Sequence, residues 1–184
     1  MINKNFDRSD FIFSLCGLNC GLCPSFVRGN CPGCRAGSHC SLVCEFAPCS
    51  VEHGNIEYCF ECDEYPCPKY DGVDEYDSLI SHKNQLKDIE KAKMMGVEKY
   101  RQEQIRKKQI LNHFLKEYDN GHRDVFFCLA CNLLEINDLY NILKKADDLT
   151  KEMDLNKKSD FLKELLNDCA SKRNIELILR KGRW

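Results

Sequence analysis

The sequence predicts a mainly α protein, in which an irregular cysteine-rich, metal-binding N-terminal module packs on a small C-terminal helical bundle. The module reads as loops and knuckles with little regular structure. Three observations predict this. Eleven of the fourteen cysteines fall between Cys16 and Cys67. From Tyr76 onward apolar residues recur at three- and four-residue steps, the spacing of a helix face. The texture changes near Asp71-Gly72, so residues 1–72 and 73–184 are read as two domains.

In the first domain Phe11–Leu15 reads as a short strand or a helix end, and the stretch from Gly17 to Pro68 as turns, with a helical turn around Ser41–Phe46. Large apolar side chains are sparse for a core that must offset ~1–2 kcal/mol of backbone entropy per ordered residue. Structural zinc supplies such free energy, ~10–16 kcal/mol per site in finger peptides, so the segment is expected to melt without metal.

The second domain reads as charged amphipathic helix. Tyr76, Leu79, Ile80, Leu86 and Ile89 make one stripe, stopped at Gly96. Val97, Tyr100, Ile105, Leu111, Phe114, Leu115 and Tyr118 make a second, ended by Asp119-Asn120-Gly121. Val125–Ala146 begins apolar all round and then turns amphipathic, as a central bundle helix would. A fourth helix is expected from Ser159-Asp160, an N-cap with an acidic start, through Phe161, Leu162, Leu165, Leu166 and Cys169. The tail NIELILRKGRW reads as a short strand or a helix continuation. Cys128, Cys131 and Cys169 are assigned to the core, and the basic run Arg106-Lys107-Lys108 to a solvated face.

The chemistry lies in Cys16, Cys20, Cys23, Cys31, Cys34, Cys40, Cys44, Cys49, Cys59, Cys62 and Cys67. Thiolate is a soft, strong ligand, and two cysteines separated by two residues grip one ion from a single turn. Cys20/Cys23, Cys31/Cys34 and Cys59/Cys62 have that spacing. Cys20, Cys23, Cys31 and Cys34 can make one four-thiolate site around a seven-residue loop. Cys59 and Cys62 need two partners from Cys40, Cys44, Cys49 or Cys67, and a third site would need one extra ligand, such as His39 or His53, or shared bridging thiolates. All eleven are therefore expected to be metal ligands, holding two or more zinc ions in closed structural sites. A [4Fe–4S] cluster is the alternative, with electron transfer or redox sensing as its role. Cys16-x-x-x-Cys20-x-x-Cys23 also has the spacing of radical S-adenosylmethionine enzymes, but no strand–helix alternation follows it. Disulfides compete poorly, because Cys-x-x-Cys closes small rings with little entropic gain.

Residues 1–70 carry five basic and eight acidic side chains, and bound thiolate sites add negative charge. Phosphate backbone would be repelled, which disfavours nucleic acid as a partner. The N-terminus lacks a signal-peptide core, and no stretch approaches the ~18 apolar residues that span a membrane. The expectation is a cytoplasmic metal-binding protein that serves as an interaction module for a protein partner. No phosphate loop, dinucleotide fingerprint or nucleophile motif is present, so a metalloenzyme ranks third.

The motifs CGLNCGLCPSF, CPGC, HCSLVCEFAPCSVEHG and YCFECDEYPCPKY resemble a prokaryotic cysteine-rich family known as domain of unknown function 3795. The resemblance covers Leu15 to Tyr70 and touches all eleven clustered cysteines. It implies a metal-binding module of intracellular bacterial and archaeal proteins, and it implies no catalytic residue.

Overall fold

The computed structural model describes residues 6–180. It is mainly helical, with seven α-helices and no strand among the described residues. These are α1 (Pro24–Val27), α2 (Phe46–Glu52), α3 (Gln85–Met95), α4 (Val97–Glu117), α5 (Asp124–Leu133), α6 (Ile136–Leu149) and α7 (Leu155–Lys172). Single 3₁₀ turns occur at Cys20–Leu22, Cys40–Leu42, Cys59–Glu61 and Pro68–Tyr70. No described helix is long and apolar enough to cross a membrane.

The chain forms two compact units, one holding the described residues up to Gln104 together with Arg180, the other Ile105–Leu179. The change of texture at Asp71-Gly72 thus lies inside the first unit, which also takes α3 and the start of α4.

The first unit has the apolar core that its composition argued against. Phe6, Leu15, Cys16, Leu18, Cys23, Ala47 and Ile80 form one buried cluster. Phe13, Tyr58, Tyr70, Ile89, Ala92 and Tyr100 form another. Half of the second cluster comes from α3 and α4, so short-range counting of the cysteine-rich stretch underestimates it. Aromatic rings do much of the filling: Phe13 lies 5.7 Å from Tyr58 and 4.7 Å from Tyr100, centroid to centroid. The Phe11–Leu15 segment is neither strand nor helix end. Its turn is held by Asp10, whose carboxylate accepts from the Ile12 and Phe13 N–H groups at 3.1 Å each and from the Tyr58 hydroxyl at 2.9 Å.

The first apolar stripe is helical only from Gln85; residues 76–84 are turns, and Tyr76 and Leu79 are exposed. Asp77 explains this. Its buried carboxylate accepts from His82 N–H and Ser81 Oγ, and Arg180 reaches it with both backbone and side chain, closest at 2.8 Å. These bonds replace a helical ladder with a loop built around one anion. His82 is partly buried, with Nε2 2.9 Å from Ser78 Oγ.

In the second unit, the expected Val125–Ala146 helix is two helices. Leu134 and Glu135 are extended, and the break falls where the all-apolar stretch gives way to the amphipathic one. Leu134 is fully buried there. α7 starts earlier than expected, because Asp154 caps it by accepting from Lys157 N–H at 3.1 Å. Ser159, expected as a cap, is a buried residue inside the helix. The chain after Asn174 has no regular structure up to Arg180, so the tail is neither strand nor helix there. Its residues 181–184 lie outside the described residues. Phe114 of α4 meets Phe127 of α5 at 5.8 Å. Cys128 and Cys131 are buried, as their apolar helix implies, whereas Lys107 of the basic run is buried rather than solvated.

Candidate metal centre

All eleven clustered cysteines lie in the first unit, and every cysteine of the chain carries a free thiol. Their positions follow from the turns that carry them. In the Cys31-Pro32-Gly33-Cys34 knuckle, Cys34 N–H donates to Phe11 C=O at 2.9 Å, and Gly33 has φ +89°. A Cβ at Gly33 would lie 2.3 Å from that carbonyl oxygen, so only glycine allows the close approach. Gly17 plays the same part after Cys16, where a Cβ would sit 2.4 Å from the Gln85 carbonyl oxygen.

Seven thiols form one nest: Cys16, Cys20, Cys23, Cys31, Cys34, Cys40 and Cys44. Burial raises the Cys16 thiol well above its ordinary value, and Cys44, Cys34 and Cys59 add to the rise. Ser14 Oγ, 3.2 Å from Cys16 Sγ, works the other way. Cys20 is raised by burial and then by Cys34, Cys16, Cys40 and Cys23. Cys40 is pushed to about 11 by burial, then by Cys23, Cys31, Cys44 and Cys34. Burial also raises Cys23 and Cys44, but backbone N–H groups oppose it, those of Ser25 and Phe26 at Cys23 and those of Ala47 and Phe46 at Cys44. Amides aimed at sulfur in this way favour thiolate. The expected quartet Cys20, Cys23, Cys31 and Cys34 lies within this nest, mixed with three further cysteines.

The other four thiols lie apart. Cys49, Cys59, Cys62 and Cys67 line one cavity of ≈ 220 Å³, shared with His53, Tyr65 and Lys69 among others. Cys59 is pushed to about 12 by burial, eased by a hydrogen bond from Tyr70 and raised further by Cys67, Cys49 and Cys44. Cys49 is raised by burial and lowered by Lys69, and its thiol neighbours are Cys67 and Cys62. Cys62 Sγ accepts from Glu64 N–H at 3.5 Å. Cys59 touches both apolar clusters and is the link between the two groups.

Among the described residues, no three Cys, His, Asp or Glu side chains converge in metal-ligating geometry. The thiols are neighbours without a common centre. Their chemistry nevertheless fits a soft metal: the donors are all sulfur, several receive backbone N–H bonds, and all but the exposed Cys40 are buried or partly buried. His39 is exposed, as is Cys40 beside it.

Four supporting residues carry no signal in the sequence. Arg8 is the most telling. Its side chain is 1 % exposed, its Nη atoms donate to the Phe13 and Glu57 carbonyls, and Nε has no acceptor. Burial opposes its charge, yet the adjacent Cys34, which hydrogen-bonds to it, raises Arg8 overall. A permanent cation therefore lies against the nest. Ser14 holds Cys16, Gln85 Nε2 donates to Cys16 C=O at 3.1 Å, and the Tyr70 hydroxyl reaches the same carbonyl at 3.3 Å.

No family model, curated protein or solved structure matches the chain.

Proposed function

We propose that the chain is a cytoplasmic metal-binding protein whose eleven clustered cysteines hold two or more zinc ions in all-thiolate sites. The metal role is structural, and the cysteine-rich stretch is the module that it orders. One observation carries the reading: eleven free thiols from fifty residues of chain gather in a single unit, with Cys16, Cys20 and Cys40 raised by burial and then by neighbouring thiols, backbone amides set against Cys23 and Cys44, and Arg8 beside Cys34. Without metal, burial and then neighbouring thiols keep protons on Cys16, Cys20 and Cys40. A divalent ion supplies the missing positive charge and releases those protons on binding. The motif resemblance to the cysteine-rich family points the same way.

The iron–sulfur reading attaches to the nest alone. Seven thiols do not divide into four-ligand sites, and Cys16, Cys20 and Cys23 lie together in it. Elemental analysis of anaerobically purified protein tests both. Colourless protein with about two or more zinc equivalents per chain is the expected result. Brown protein with iron and acid-labile sulfide transfers the nest to the cluster reading, and metal-free folded protein with eleven titratable thiols ends both.

A further inference from the structure

We propose that Cys49, Cys59, Cys62 and Cys67 form a self-contained mononuclear zinc site, separate from the seven-thiol nest. The inference rests on the metal reading above and assigns partners that spacing left open, choosing Cys49 and Cys67 over Cys40 and Cys44 for the Cys59/Cys62 knuckle.

Three features carry it. First, these four cysteines and none of the other seven line the ≈ 220 Å³ cavity. Second, the local backbone brings them there from three separate turns. Cys59 and Cys62 flank one 3₁₀ turn, closed by Cys62 N–H to Cys59 C=O at 3.1 Å. Cys67 leads into the Pro68–Tyr70 turn, and Cys49 comes from the last full turn of α2. Third, the one histidine lining the cavity has both ring nitrogens engaged by neighbours. His53 Nδ1 lies 2.9 Å from Cys49 C=O, and Nε2 is 3.6 Å from a Glu64 carboxylate oxygen. Nδ1 also lies 3.7 Å from Cys49 Sγ, as a hydrogen-bond partner of one thiol, and the four sulfurs remain the donor set. Four thiolates around Zn²⁺ carry a net −2, and Lys69 is the lysine on the cavity wall, beside Glu52 and Glu64. The nest is built differently: its cation is Arg8.

Zinc content of the full-length Cys62→Ser and Cys67→Ser variants tests the assignment. Each is expected to lose about one zinc equivalent and keep the remainder, and the double variant to lose no more than either single one. Full zinc retention, loss of all zinc, or additive losses in the double variant overturn it. Because a variant can misfold, the unmodified protein is probed in parallel by limited chelation, thiol alkylation and peptide mass spectrometry. Cys49, Cys59, Cys62 and Cys67 should become alkylated as one set. Joint labelling of Cys59 with Cys40 or Cys44, while Cys49 stays protected, refutes the quartet. Unmodified protein that holds no zinc refutes the metal reading itself, and the assignment with it, an outcome distinct from the others.

Discussion

Cys16 and Cys131 are both buried thiols, one in each unit, and they show why burial says little about what a cysteine does. Each is raised by burial first. Around Cys16 the next influences are three more thiols and a serine hydroxyl, whereas around Cys131, pushed to about 12, the further charge is Lys107. Cys131 belongs to α5, which is buried on nearly every side, and acts as a small apolar filler. Cys16 belongs to a loop that places it near Cys44, Cys34 and Cys59. The company of a thiol, more than its exposure, separates a ligand from a core residue.

The comparison breaks or sharpens most strongly under chelation. Removing zinc should cost the first unit the ~10–16 kcal/mol that a structural site supplies. Hydrogen exchange is then expected to rise throughout residues 6–104, α3 included, because Ile89, Ala92 and Tyr100 share a cluster with Phe13, Tyr58 and Tyr70. Helices α5 to α7 should keep their protection. If the loss stops at Gly72, α3 is independent of the cysteine stretch; if it spreads evenly over α5 to α7, the two units are one cooperative body.

Next in size is Arg8→Met. Deleting a buried cation that faces a thiol nest leaves negative charge uncompensated once metal binds, at a cost of roughly 3–5 kcal/mol. Denaturant unfolding of the zinc-loaded protein should show it, and Arg8→Lys should recover only part, since lysine lacks the fork that reaches two carbonyls. An unchanged midpoint for Arg8→Met would remove Arg8 from the site.

Smaller again is the pair that mirrors the opening contrast. Cys34→Ser should lower the metal content, while Cys131→Ala should leave it unchanged and cost ~1 kcal/mol, as for a small buried group. Loss of metal from Cys131→Ala would make α5 part of a metal site.

The smallest effect concerns pH. Burial by itself would raise the Asp77 carboxyl, but the Arg180 side chain and backbone, with His82 and Ser81, hold it down at about 2. A depressed carboxyl stabilises the fold above its unfolded value near 4, and that contribution fades as pH falls toward 2. Asp77→Asn should be less stable at neutral pH and flatter between pH 4 and 2, read from thermal midpoints. Parallel curves for both proteins would show that the Asp77–Arg180 contact contributes nothing.

Local chemistry was legible in the sequence. The thiol crowd, the three Cys-x-x-Cys knuckles, the α class and the stops at Gly96 and near Asp119-Asn120-Gly121 all depend on neighbours a few residues away. Composition misjudged the core of the first unit, because Ile80, Ile89, Ala92 and Tyr100 enter it from beyond the cysteine-rich stretch. The bend that splits Val125–Ala146 was likewise hidden, since periodicity there continues across Leu134.

The sequence by itself determined which atoms are available for a soft metal; only the tertiary structure decided which of them are neighbours. Cys49 lines one cavity with Cys59 and Cys62, whereas Cys40 has Cys23, Cys31, Cys44 and Cys34 as its thiol neighbours. Arg8 reaches the Glu57 carbonyl across 49 positions of sequence and lies against Cys34 on the way. Such pairings have no periodic signature, because they are set by how turns stack once the aromatic clusters close. Spacing sets which thiols one turn carries, and packing chooses which turns bring their thiols together.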